Sequence, residues 1–279
     1  MRIEKISDNV YVDTTGEGNG NFGAIVLPSF VVAVDASMFP SLAQAFRKDI
    51  ETRTEKRVAI LVLTHYHADH VFGNQVYRDC TIVSTKELRE KMLEAARTEW
   101  TPEAIKRFGQ GSPETAEKLK GIEITFPTKT FESKYAFKDE GILLELRQTG
   151  GHTADSCYVY LPSEKILFSG DLIFAQRFPW GADPTADPEK WLKALKQLTK
   201  LKPSLIVPGH GPVCGDSELQ KYIDFFEKTT KIIRGIVSSG GSKEEVLKFK
   251  DYPEFYAPKR PEAKQATLSC WYDYYRKRL

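Results

Sequence analysis

Four side chains able to hold a metal ion fall within six residues of Thr64-His65-Tyr66-His67-Ala68-Asp69-His70, directly after the apolar run Val58–Leu63. Alternate residues of an extended chain point to the same side, so His65 and His67 leaving a strand converge on one ion. Asp69 and His70 follow where the chain turns away. Imidazole nitrogens and carboxylate oxygens with no cysteine nearby suit zinc or another first-row cation. The chain holds 5 histidines, and the two outside this motif, His152 and His210, each stand in a glycine-flanked turn at a strand end. Histidines satisfied in a core, or scattered over surface loops, would not gather at strand ends, so the sequence predicts a metal site. Cys214, four residues past His210, is not assigned as a ligand.

The elements that must position these residues read as follows. Strands are expected at Asn9–Thr15, Ala24–Leu27, Val31–Val34, Val58–Leu63 and Thr81–Ser84, and again at Ile122–Phe126, Thr130–Phe137, Ile142–Arg147, Ser156–Leu161, Lys165–Phe168 and Ser204–Val207. Helical spacing runs over Met38–Ile50, Pro188–Leu201, Asp216–Val237, Ser242–Phe249 and Glu262–Arg278, with Ser242 as an N-cap. A short helix is expected near Asp69. GEGNGNFG (residues 16–23) has no following GKS or GKT and reads as a flexible hairpin tip, not a phosphate cradle. Two strand blocks, each closing with helix and strand, predict an α/β/β/α sandwich of two mostly antiparallel sheets face to face with helices outside. We expect one domain over 1–279, with a helical insertion at about 86–121 and a helical C-terminal extension at about 216–279.

Composition excludes little else. The chain of 279 residues is 41% hydrophobic and carries a net charge of +2, so nothing in the total demands nucleic acid or an anionic membrane. No apolar stretch suggests a signal peptide or a membrane span, and the expected address is the cytoplasm. The 4 cysteines lie far apart and read as reduced thiols. The aromatic cluster of Trp271, Tyr272, Tyr274 and Tyr275 is read as core or as a homo-oligomer contact.

Three more turns each offer a ligand: Gly150-Gly151-His152-Thr153, Ser169-Gly170-Asp171 and Pro208-Gly209-His210-Gly211. The order HxHxDH, GGHT, SGD, PGHG resembles the metallo-β-lactamase superfamily over His65 to Gly211. The resemblance implies that His65, His67 and His152 hold one metal, that Asp69, His70 and His210 hold a second, and that Asp171 bridges them. Seven ligands exceed one tetrahedral ion and suit two that keep positions open for water. Two divalent ions are expected, zinc first, with iron or manganese as alternatives. Aspartate at position 171 departs from the superfamily's true β-lactamases, which have Cys or Ser there, and resembles its glyoxalase II, lactonase and phosphodiesterase branches.

The chemistry expected is hydrolysis of an ester, thioester, lactone or phosphodiester in a small molecule. A hydroxide held between two dications attacks, and Asp69 acts as the catalytic proton shuttle to the leaving group. The alternatives are a mononuclear iron oxygenase like the persulfide dioxygenases, or a metal-stabilised scaffold without turnover. Tyr66, Arg177, Phe178, Trp180, Trp100 and Phe108 are the expected substrate-side residues. The last-named two belong to the insertion, which two breaks, at Thr101-Pro102 and Gly109–Pro113, divide into short helices suited to capping a cleft.

Overall fold

In the computed structural model, which describes residues 1–258 and 260–279, two sheets lie face to face with helices on both outer surfaces. The first sheet runs in chain order through β1 (Glu4–Lys5), β2 (Val10–Asp13), β3 (Phe22–Val26), β4 (Val31–Val34), β5 (Val58–Val62), β6 (Thr81–Thr85) and β7 (Lys129–Phe131). It is antiparallel through β4 and parallel from there on. The switch follows from the connections, because a hairpin can only reverse a strand whereas helix α1 (Pro40–Thr54) carries the chain back to start β5 beside β4. The second sheet is ordered β12-β11-β10-β9-β8. Its strands are β8 (Lys134–Asp139), β9 (Ile142–Gln148), β10 (Cys157–Leu161), β11 (Ile166–Phe174) and β12 (Leu205–His210), and only the β11–β12 pair, joined through α6 (Pro188–Lys200), is parallel.

Period-two side chains build the layers. Val32 and Val34 of β4 enter the inter-sheet core with Leu144, Leu146, Val159 and Phe168 of the second sheet. Val31 and Ala33 face the other way, onto α1 residues Ala43, Phe46 and Ile50. Each fully buried Val, Leu, Ile or Phe among them stabilises by about 1.5–3 kcal/mol. On the far surface α6 lays Trp191, Leu195 and Leu198 on the second sheet, with Asp187 capping its first turn. Helices α7 (Asp216–Ser238), α8 (Lys243–Lys248) and α9 (Pro261–Arg276) complete that layer. Ser242 caps α8 in a capping box with Glu245, as its position predicts. Among the described residues no helix is long and apolar enough to cross a membrane.

Three expectations need correction. Ile122–Phe126 forms no strand: its apolar side chains do pack on the core, but their backbone is held by side chains, Asn74 donating to the Thr125 carbonyl and the Glu123 amide to Gln75. Alternation reports a buried face, not a neighbouring strand. Thr130–Phe137 is two strands, since the chain leaves the first sheet after Phe131 and enters the second at Lys134. Strand β11 does not end at Phe168 but runs to Phe174 with irregular register around Gly170, so Asp171 sits within a strand and not in a turn after one.

Candidate metal centre

The donors gather at one end of the sandwich, where β5, β11 and β12 finish. His65 and His67 leave β5, and Asp69 and His70 lie on the single turn of α2 (Ala68–Val71) that follows. Asp171 comes from β11, His210 ends β12, and His152 stands in the loop between β9 and β10. Two glycines allow the approach. A side chain on Gly170 would meet the Thr64 side chain at 2.7 Å, and its φ of +51° favours glycine as well; a Cβ on Gly209 would lie 1.9 Å from Asp171 Oδ1.

One group consists of His65, His67, His152 and Asp171, and a second of Asp69, His70 and His210. In the first, His67 Nδ1 is 3.0 Å from both His65 Nε2 and His152 Nε2. Asp171 Oδ2 lies 3.6 Å from His65 Nε2 and 3.4 Å from His152 Nε2. The same carboxylate reaches the second group, with Oδ1 3.3 Å from His70 Nε2 and Oδ2 3.3 Å from His210 Nε2. Asp69 Oδ2 is 3.4 Å from His210 Nε2. Asp171 therefore stands between the two groups.

The outward nitrogens decide what the inward ones offer. His70 Nδ1 meets Asp35 Oδ2 at 2.8 Å, His210 Nδ1 donates to the Asn19 carbonyl at 3.0 Å, and His67 Nε2 meets Asp183 Oδ2 at 3.2 Å. An imidazole that donates outward presents a lone pair inward. His67 Nδ1 then turns a lone pair toward the Nε2 atoms of His65 and His152 at 3.0 Å, a convergence that a shared cation would make favourable. His70 Nε2 and Asp171 Oδ1 are buried without a hydrogen-bond partner, which fits the same reading.

Electrostatics agree. Burial, with His70 nearby, holds His65 well below its usual range, and burial pushes His152 down to about 3, so both stay neutral and able to ligate. Burial opposes ionisation of Asp171, yet His210, His70 and His65 outweigh it and keep the carboxylate charged. At His70, burial is overcome by Asp171, Asp35 and Asp69, which raise it well above its usual value: the pocket favours positive charge there. The donor set fits divalent metal. Cys214 belongs to neither group.

Several supports carried little sequence signal. Asp35 ends the apolar strand β4 as His65 follows β5, and it ties Thr64 as well as His70. Asp183 has no such flag. It is 1% exposed and takes hydrogen bonds from Tyr66 at 2.7 Å, from His67, and from the Thr185 amide and hydroxyl. Burial works against its charge, but these partners hold it well below the carboxylate range. The glycine-rich 16–23 segment is the tip of the β2–β3 hairpin, as expected, but it is tied down and not free. It folds over the site, with the Asn21 backbone amide donating to the Gly209 carbonyl and the Asn21 side-chain Nδ2 donating to the carbonyls of Pro208 and Gly211.

Asp183→Asn is expected to weaken metal binding about 10–100-fold in competition with a chelator, because His67 loses its charged partner. Tyr66→Phe removes a hydrogen bond to the same carboxylate but leaves the His67 contact, so it should bind metal as the parent does. If both variants behave alike, Asp183 does not act through His67.

Asp155, fully buried near the site, has its carboxyl pushed up to about 7 by burial. Its folded value lies above the ordinary 3.8, so folding takes up a proton and stability is lost as pH rises between about 4 and 7. Asp155→Asn should therefore gain stability over the parent at pH 8, by the order of a few kcal/mol, and little at pH 4. Urea unfolding at both pH values checks this, and an equal difference at the two would refute it.

Over the donors opens a cavity of about 760 Å³. All the expected substrate-side residues line it: Tyr66, Trp100, Phe108, Arg177, Phe178 and Trp180. So do Asp69, Asp171 and His210, together with Phe174, which stacks on His210 at 5.0 Å. Trp100 and Phe108 come from the insertion, whose helices are α3 (Lys86–Thr98), α4 (Pro102–Phe108) and α5 (Pro113–Lys118). Unanticipated lining comes from the start of α9, with Arg260, Glu262, Ala263 and Ala266.

Comparison with known proteins places this geometry. The model of the metallo-beta-lactamase superfamily matches residues 15–210. The "Beta-lactamase-like protein 2 homolog" of Caenorhabditis elegans is 26% identical over 96% of this chain and 83% of its own length. The "Metallo-beta-lactamase type 2" of Bacillus cereus is 28% identical over 78% of this chain and 79% of its own. Among solved structures, a metallo-beta-lactamase from Pontibacter korlensis superposes with a TM-score of 0.64 at 24% identity, covering 81% of this chain and 98% of that one, a likeness of fold.

Proposed function

The chain belongs to the metallo-beta-lactamase superfamily, and from that premise we propose that it is a hydrolase holding two divalent ions, zinc first, that cuts an ester, thioester, lactone or phosphodiester bond. The observation that carries the reading is Asp171, whose carboxylate lies within 3.3–3.6 Å of histidines from both donor groups. His65, His67 and His152 would hold one ion and Asp69, His70 and His210 the other. When bound, such ions supply a water of lowered pKa and positive charge to polarise a carbonyl or phosphoryl oxygen.

The chain's own residues do the rest. Asp69 is partly open to the cavity at 17% exposure, so its free oxygen can take a proton from the attacking water and deliver it to the leaving oxygen. Asp35, Asp183 and the Asn19 carbonyl fix the imidazole orientations before substrate arrives. Trp100 and Phe108 of the insertion help to exclude water and choose the substrate. A complete second donor set supports two ions over the single iron of an oxygenase. Penicillin hydrolysis, the activity in the name of the Bacillus relative, is not our reading, because Asp171 stands where true β-lactamases have Cys or Ser.

Metal analysis of purified protein, followed by a panel of model esters, thioesters, lactones, phosphodiesters and a penicillin, tests the proposal. Two ions per chain and turnover of one hydrolysable class are expected. One iron with consumption of dioxygen, or turnover of the penicillin alone, would overturn it.

A further inference from the structure

The cavity is larger than a small acyl group needs and is unevenly furnished. Its volume lies in the upper part of the range of about 300–1,000 Å³ found for drug-sized ligands. Above the first donor group the wall is aromatic: Trp180 stands 5.3 Å from His67 and 5.9 Å from His152, and Tyr66 stacks on Trp100 at 6.2 Å. Trp180 is 38% and Phe108 46% exposed, and they are two of the four large apolar side chains left in solvent among the described residues. Both line this cavity, so their exposure is concentrated where a ligand would cover it.

The same lining carries two arginines, Arg177 and Arg260. Arg177 is half-buried on the loop after β11, and Gly16, which opens the segment whose Asn19 carbonyl holds His210, is its neighbour there, with Nη2 3.6 Å from where a Cβ would stand. Among the described residues neither Arg177 nor Arg260, which lines the same cavity, has an ion pair. Glu99 and Glu262 also line the wall, but both are exposed, and Arg177 is the more withdrawn from water of the two arginines. Helix α9 adds Ala263 and Ala266, one turn apart, to the cavity wall, while Thr267, Leu268 and Trp271 enter the core. Small side chains on that face are what leave the volume open. These α9 residues lie beyond the segment that matches the superfamily.

We propose that the chamber takes an amphipathic anion: a flat apolar or aromatic body lodged between Trp180, Phe108 and the alanine face of α9, with a carboxylate or phosphate group met by Arg177 and Arg260. The bond that is cut rests on the hydrolase reading, whereas what is bound rests on the chamber. A planar guanidinium meets either anion in a two-point fashion, and an aromatic wall holds a flat body at little entropic cost.

Binding, not turnover, tests it. Calorimetric titration of the metal-loaded protein would use 1-naphthylacetate, 1-naphthylmethylphosphonate, neutral 1-naphthylacetamide, and acetate as the measure of direct contact with metal. We expect both naphthyl anions to bind at least about tenfold more tightly than acetate or the amide, and the ratio between the two anions to identify the group preferred. Arg177→Met with Arg260→Met should abolish the advantage of the anions over the amide. Ala266→Phe should weaken all three naphthyl ligands and spare acetate; the arginine pair keeps the test decisive if that variant folds poorly. Naphthylacetate binding no better than acetate, or a charge advantage that survives loss of both arginines, would overturn the proposal. Such a result leaves hydrolysis standing, just as a failure to cut any substrate would leave these binding ratios unchanged.

Discussion

Asp171→Ala is expected to bring metal content toward one ion per chain and to reduce turnover by at least about 10²-fold. The carboxylate is 5% exposed and lies within 3.3–3.6 Å of four imidazoles, so no water-facing group can take over its place. On the two-ion proposal its removal would leave two cations sharing a buried pocket without the negative charge between them, and their repulsion would expel one. Asp171→Asn is the informative companion, because it keeps the shape and a ligating oxygen while deleting the charge. Should both variants retain two tightly held ions and near-parental turnover, Asp171 does not bridge. Circular dichroism of the metal-free variants separates loss of metal from loss of fold.

Asp69→Asn is the second large effect, a fall in rate of about 10² or more. The substitution keeps size and one oxygen toward His210 but removes the acceptor that relays a proton. The loss should grow as the leaving group becomes a poorer one, since only a poor leaving group needs the proton delivered. A uniform loss across leaving groups, tracking metal content, would assign Asp69 to ligation alone. Unchanged turnover on a poor leaving group would remove it from the mechanism.

The sequence by itself marked the candidate donors and determined the kind of fold. His65, His67, Asp69 and His70 follow one apolar strand, and His152, Asp171 and His210 each carry a neighbouring glycine that lets the backbone come close, so residue type and spacing marked them without any coordinates. The alternation of apolar residues likewise announced the layers. Tertiary structure decided what spacing cannot encode. Asp35 and Asp183 meet imidazoles 35 and 116 residues away in the chain, and only the closing of the sandwich brings them there. Ile122–Phe126 has the alternation of a strand yet pairs with none, because burial of one face depends on the side chain and pairing depends on a neighbour. The glycine-rich 16–23 segment became a wall of the site for the same reason: its carbonyls and amides find partners on β12 and beyond, at the far end of the sequence. The chamber above the donors is assembled from the insertion, the loop after β11 and α9, three stretches whose meeting is set by packing and not by any local pattern.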